Sequence, residues 1–236
     1  MLSECAAKAG PEKVVISESN DEVLMADLNT FLGIYGYSYC GAVTAFQAVY
    51  GGWSVNVGLE TPLATTDVVS FRAKYALAFT VGNVMGWGGN DINTVELLEN
   101  STVDCDYMRT LVRLRLAHPE YMVHGRLMRP PVILSAVPSI LVCNASCKPA
   151  SYDPAELSCG ACGKTPCATP AVVAQSWMAK NGSMVVALAN FGVVAVNYTA
   201  RVDVTNYSIH PHRSARVWKV ISMVVHGLDA AVLSVR

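Results

Sequence analysis

Along the first half of the chain, short β-branched apolar runs alternate with longer segments in which apolar residues recur at helical spacing. Residues 1–9 have helical character and stop at Gly10-Pro11; Val14 to Ser17 is then a β-branched run between turn residues, which predicts a buried strand. A polar stretch from Glu18 to Glu22 leads into an apolar-periodic segment reaching Leu32, and Ala42 to Tyr50 predicts a second strand or a short helix, closed by Gly51-Gly52. Thr66 or Asp67 can cap a helix whose Val69, Ala73, Ala76, Leu77 and Thr80 share one face. Gly82 to Trp87 predicts a third strand, and Asp106 to Met128 a long helix stopped by Pro130-Pro131. Such alternation is the pattern of βα units around a parallel sheet.

Beyond Pro131 the pattern changes. Residues 132–170 form a cysteine-rich linker or insertion, and Val172 to Met178, Met184 to Asn190, Val193 to Arg201, Ala215 to Val220 and Ala231 to Val235 are short strand-like runs. Turn residues stand between them at Lys180-Asn181-Gly182 and Phe191-Gly192, so residues 171–236 predict an antiparallel β-sandwich.

Composition narrows the class. The chain has 236 residues, 52% of them hydrophobic and 15% charged, and a mean hydropathy of +0.33, which excludes a disordered chain. Seventeen Lys and Arg against 18 Asp and Glu leave a net charge of -1 with no basic run, so the electrostatic footprint of nucleic-acid binding is missing. No apolar run approaches the roughly 18 residues of a membrane span: Val132 to Cys143 contains Pro138, Ser135 and Ser139, and Met184 to Tyr198 is broken by Asn190 and Gly192. The opening MLSECAAKAGPEK lacks the apolar core of a secretory signal. Two features point to a secreted or lumenal setting all the same. Five glycosylation sequons stand at Asn100, Asn144, Asn181, Asn197 and Asn206. Five cysteines, Cys143, Cys147, Cys159, Cys162 and Cys167, crowd one segment; they are disulfide-bonded, metal-binding or free, and the absence of paired C-x-x-C knuckles and nearby histidines favours disulfides.

Five stretches, VVISESNDEVLMADLNTFLG, AVTAFQAVYGG, FRAKYALAFTVGNVMGWGG, YMRTLVRLRLAHPEYMVHGRLMRPP and VVAQSWMAKNGSMVVALANFG, resemble in this order the C-terminal part of large glycoside-hydrolase-like proteins. Those proteins carry a (β/α)8 barrel, distantly akin to the α-galactosidase group, and a terminal β-sandwich. The resemblance covers most of residues 4–200 and lapses across Cys143 to Cys167. It implies an α/β plus all-β fold: the last strands and helices of a (β/α)8 barrel over residues 1–131, then the antiparallel β-sandwich. A full barrel takes about 250 residues, so the earlier strands are expected to be absent.

Glycoside hydrolysis requires two carboxyl groups, one protonated to assist the leaving oxygen and one ionised. Glu18 directly follows the strand Val14 to Ser17, and Glu22 lies four residues on; the resemblance implies that both are catalytic, although Glu22 also suits the first turn of a following helix. Tyr50 with Trp53 follows the second predicted strand and Trp87 the third, so these aromatics are candidate platforms for the apolar faces of a sugar. His124 and Arg126 read as structural residues at the end of a helix, and Trp177 as sandwich core. No phosphate loop, G-x-S-x-G elbow or H-E-x-x-H motif occurs, so neither a cofactor nor a metal is expected. The expected function is action on O-glycosidic bonds, with the chain inactive alone for want of the earlier barrel strands; the alternative is a non-catalytic carbohydrate-binding or interaction subunit. Carbohydrate is the expected partner, together with a polypeptide covering the open barrel edge, and no nucleic acid or membrane span.

Overall fold

A computed structural model of the chain describes residues 16–17, 30–32, 45–51, 54–57, 68–85, 102–142, 167–204 and 217–235. In chain order the elements are β1 (Ile16–Ser17), β2 (Thr30–Leu32), α1 (Ala45–Tyr50), β3 (Val55–Val57), α2 (Val68–Thr80), α3 (Thr102–Ala117) and α4 (Pro119–Met122). There follow β4 (Arg126–Leu127), β5 (Val132–Ile133), β6 (Ser139–Val142), β7 (Cys167–Pro170), β8 (Val172–Met178), β9 (Met184–Asn190), β10 (Val196–Asp203), β11 (Trp218–Val225) and β12 (Asp229–Ser234). Among the described residues no helix is long and apolar enough to cross a membrane.

The strand β9 organises the rest. Its sequence MVVALAN is apolar at consecutive positions, and every one of its residues is buried, the signature of a strand covered on both faces. Val185, Ala187 and Ala189 face one core, shared with Phe71, Phe79, Tyr107, Leu111 and Trp177; Met184, Val186 and Leu188 face another, shared with Val196, Tyr198, Ala200, Val202 and Val225. Three layers result: helices α2 and α3, the antiparallel sheet β12-β9-β8-β4, and the antiparallel sheet β11-β10-β5. The two small alanines of β9 give α2 room to approach, and α2 meets them with its own Ala73 and Ala76. A second short antiparallel pair, β6 with β7, joins Ser139 to Pro170 and Val142 to Cys167.

The end of α2 is held from three sides. Gly82 is left-handed at φ 77°, so its N–H reaches the Phe79 carbonyl and the Asn83 N–H reaches that of Ala78, each at 2.9 Å, which closes the helix. The Trp177 indole Nε1–H donates to the Thr80 carbonyl at 2.8 Å, and Arg115 Nε to the Gly82 carbonyl at 3.2 Å. A Cβ on Gly82 would stand 2.7 Å from both the Met122 carbonyl oxygen and the Trp177 ring. On α3, Tyr107 and Leu111 point into the core while Arg109 and Arg113 point outward, and Asp104 is ion-paired with Arg72 of α2. At the far end of β9, fully buried Asn190 places its Nδ2 within 2.9–3.2 Å of the carbonyls of Val194, Val225 and His226, while its Oδ1 accepts from the Gly192 N–H.

This architecture overturns the expected (β/α)8 barrel. The described residues are 42% strand and 29% helix, with four helices and several small antiparallel sheets, and they show no barrel. Among the described residues, parallel pairing is confined to β1-β2-β3, strands of two or three residues each. The alternation of apolar runs was compatible with βα units, but Ala45–Tyr50 is a helix, and the run from Gly82 contributes only the single bridge in which the Val84 N–H meets the Asn56 carbonyl. The long helices then pack on the antiparallel sheet, α2 on β9 and β8 and α3 on β12. The one helix expected over 106–128 is two, because Pro119 disfavours α geometry at His118, whose φ and ψ are -130° and 50°. With no barrel, the expectations that barrel strands are missing and that a polypeptide covers an open barrel edge lose their ground.

Two stability predictions follow. Trp177→Phe removes the hydrogen bond to Thr80 and part of the core volume, for an expected loss of about 1–3 kcal/mol; Gly82→Ala loses at least about 1 kcal/mol through its left-handed backbone and the encroaching Cβ. Urea denaturation of the two variants checks both.

A further prediction concerns alkaline pH. Tyr75, Tyr107 and Tyr198 are buried, and among the described residues the hydroxyls of Tyr107 and Tyr198 have no hydrogen-bond partner. Burial pushes the Tyr75 hydroxyl up to about 12 and those of Tyr107 and Tyr198 upward as well, Tyr107 against a partly opposing Arg72. A raised native value means that the unfolded chain gives up its tyrosine protons first, near pH 10. The stability linked to these groups is therefore full below about pH 10 and falls above it, by about 1.4 kcal/mol per pH unit for each tyrosine still protonated. Tyr107→Phe, which deletes a buried hydroxyl without a partner among the described residues, is expected to hold or raise stability at neutral pH and to flatten the alkaline decline, as read by denaturation at pH 8, 10 and 11.

Candidate functional site

The β8–β9 hairpin turns tightly because Gly182 is left-handed at φ 83° and its N–H bonds the Ala179 carbonyl at 2.9 Å. Asn181 Oδ1 accepts from the Ser183 N–H at 3.0 Å and from the Ser183 hydroxyl at 2.6 Å. With that proton committed, the Tyr121 hydroxyl, 2.9 Å from Ser183 Oγ, is the donor in their mutual contact, and the hairpin is tied to α4. After α4 the chain passes through His124 and Gly125, where a Cβ would collide with the Tyr121 carbonyl, and enters β4. There Arg126 pairs with Met178 and Leu127 with Trp177, so Leu127 goes into the core and Arg126 comes to the surface.

Between this corner and α1 lies a cleft of about 930 Å³. Ala48 and Val49 of α1 form one wall; His124 and Arg126 form another; Met178, Ala179, Lys180 and Asn181 form the third. The inner side of α1 is fixed by a buried amide pair, in which Asn56 Nδ2 of β3 donates to Gln47 Oε1. No carboxylate is among the described residues lining the cleft. The described lining supplies basic side chains and an amide next to apolar surface.

Of the residues marked out from the sequence, Glu18, Glu22, Trp53 and Trp87 lie outside the described residues, as do Cys143, Cys147, Cys159, Cys162, Asn100, Asn144 and Asn206. β1 ends at Ser17, directly before Glu18 in the chain. Tyr50 is the last residue of helix α1 rather than the end of a strand; it is half-buried, and its carbonyl accepts from the Ser54 N–H and hydroxyl. Cys167 opens β7, and Cys105 forms no disulfide. Asn181 and Asn197 are exposed, the first in the cleft wall and the second on β10. Trp177, read from sequence as sandwich core, is buried instead in the core between the sheet and the helices. His124 and Arg126, read from sequence as structural, line the cleft. The signal available was a pair of basic residues flanking a glycine just before the apolar Leu127-Met128, without any indication of what they would face.

No family model and no solved structure matches the chain. A protein of Monosiga brevicollis named "Putative glycoside hydrolase 22789" is 25% identical over 221 residues, covering 84% of this chain and 17% of that protein. In sequence the chain is thus glycoside-hydrolase-like over most of its length, while spanning about one sixth of the relative it matches.

Proposed function

We propose that the chain is a segment of a protein acting on O-glycosidic bonds, with Glu18 as general acid or base and Glu22 as the second carboxylate. The observation that carries this reading is the similarity to a glycoside hydrolase over 84% of the chain. The parallel strands support it, because ligands of such sheets gather at the carboxyl ends of the strands, and Glu18 is the residue that follows the carboxyl end of β1. A pair of carboxylic groups four residues apart has the chemical components of the reaction, one to protonate the leaving oxygen and one to act as nucleophile or base. The test is release of nitrophenol from a panel of nitrophenyl glycosides by the 236-residue chain. Glu18→Gln is expected to reduce the rate by about 10²–10⁴-fold and Glu22→Gln to reduce it less; an undiminished rate with Gln at position 18 refutes the assignment.

A second reading, carbohydrate binding without turnover, is favoured by the cleft, whose described lining has no carboxylate. Saccharide binding without hydrolysis by either the wild-type chain or the variants is its expected signature. The aromatic platforms proposed for Tyr50, Trp53 and Trp87 belong to either reading.

A secreted or lumenal setting is part of the proposal, supported by the five sequons and the five clustered cysteines. Asn197 is exposed on β10, with its sequon partner Thr199 hydrogen-bonded to Ser222. Passed through a eukaryotic secretory pathway behind a heterologous leader, the chain is expected to carry a glycan at Asn197, seen as a mass decrement on endoglycosidase treatment that Asn197→Gln reduces by one unit. No glycan at Asn197 counts against the localisation.

A further inference from the structure

We propose that a glycan on Asn197 covers an apolar strip on the outer face of the sheet β11-β10-β5, so that the sugar forms the outermost layer there. The proposal rests on the secreted or lumenal setting above and adds what the glycan does. Strand β11, like β9, is apolar on both faces: Ile221, Met223 and Val225 turn to the second core, and Trp218, Val220 and Val224 turn outward. The likeness ends there, because β9 is covered on both faces whereas Val220 is 65% exposed and Val224 50%. An antiparallel sheet with one wet face alternates apolar inside and polar outside. β10 does so, with Val196, Tyr198, Ala200 and Val202 buried and Asn197, Thr199 and Arg201 on the outside. β11 departs from the rule.

Register sets a sequon against that departure. Asn197 stands directly opposite Val224, Thr199 opposite Ser222, and Arg201 between Val220 and Val132. The hydroxyls of Thr199 and Ser222 are 2.8 Å apart on this face. Buried Tyr198, the middle residue of the sequon, holds Asn197 and Thr199 outward by strand alternation. Opposed residues have Cβ atoms about 5 Å apart, so the first sugar on Asn197 reaches the Val224 methyls; Val220 lies about 13 Å further along the strand. Beyond it the Arg201 guanidinium is stacked over the Trp218 ring, 4.7 Å from its centre, and closes the strip. A sugar ring has an apolar C–H face and a rim of hydroxyls; the valines meet the first and the Thr199–Ser222 pair the second. In the attachment step Asn197 Nδ2 bonds to the anomeric carbon of a lipid-diphosphate-linked oligosaccharide as the bond from that carbon to the diphosphate oxygen breaks. The lipid diphosphate departs, and one amide proton passes to a base of the host transferase. Ser222 follows Thr199 by 23 residues in the chain, so the sequon is synthesised before β11 can pair with it.

The test is hydroxyl-radical footprinting, read by peptide mass spectrometry, on the chain and its Asn197→Gln variant, both secreted from eukaryotic cells behind a heterologous leader. Oxidation of Val220 and Val224 is expected to be several-fold lower in the wild-type chain than in the variant. Leu116, exposed on α3 in the helix layer, is expected to be oxidised equally in both. Trimming the folded wild-type glycoprotein to its first sugar makes the comparison without a substitution, and is expected to free Val220 while Val224 stays protected. A glycan at Asn197 with both valines oxidised as fast as in Asn197→Gln, or unaffected by trimming, overturns the inference and leaves the secreted setting standing. An unmodified Asn197 overturns the inference and counts against that setting as well. Protection that persists in Asn197→Gln and disappears on dilution, with a dimer in sedimentation, overturns the glycan as the cover and assigns the face to a second copy of the chain.

Discussion

A strand buried on both faces must have something apolar on each side of it, and β9 is such a strand. Because side chains alternate across a strand, its odd and even residues are committed to different cores. Val185, Ala187 and Ala189 require the helices; Met184, Val186 and Leu188 require the second sheet. Neither layer can be removed without exposing half of β9 to water. Asn190 ends the strand with a polar side chain that is fully buried yet satisfied, and its bonds to the carbonyls of Val194, Val225 and His226 fix where β10 begins and β11 stops. Trp177 on the neighbouring β8 plays the corresponding part on the helix side, filling the core with its ring and closing α2 with its indole N–H.

The cleft is a consequence of this packing. β8 delivers Trp177 into the helix-side core, so the next residue, Met178, goes to the opposite face, half-buried at the edge of the second core and in the cleft wall, and the antiparallel pairing with β4 brings Arg126 beside it. The hairpin that follows has to return the chain into β9 at once. The left-handed Gly182 and the Asn181–Ser183 bonds allow it to do so, leaving Lys180 and Asn181 as the rim. The constraint that sets the core on one side of the hairpin thus sets the cleft on the other.

How much of this was legible varies with the range of the interaction responsible. β8 and β9 stand in the structure at the residues their apolar runs mark, Val172–Met178 and Met184–Asn190, because the turn residues Lys180, Asn181 and Gly182 bound them locally. β10 and β11 are displaced by two to five residues from their runs, as strand ends are set by partners rather than by composition. The helix over 106–128 was overextended past Pro119, a local signal outweighed by the periodicity on either side of it. The barrel was misread for a deeper reason: alternating strand and helix runs do not state which sheet a helix will cover. α2 is buried around most of its circumference, so the face shared by Val69, Ala73, Ala76, Leu77 and Thr80 is only part of what it buries and does not tell which sheet will cover it. The roles of His124 and Arg126 were hidden similarly, since Arg126 owes its position to a strand about fifty residues away.

The helix α1 joins the short parallel sheet to the cleft. Its Gln47 turns inward to the Asn56 amide on β3, within the parallel sheet whose first strand leads to Glu18; its Ala48 and Val49 turn outward to the cleft. Adjacent residues of one short helix therefore connect the strands that precede the carboxylate pair with the wall that faces the cationic side chains. The buried amide contact is directional, so it fixes the rotation of α1 more strictly than apolar packing would, and rotation of α1 is what decides whether Val49 lines the cleft.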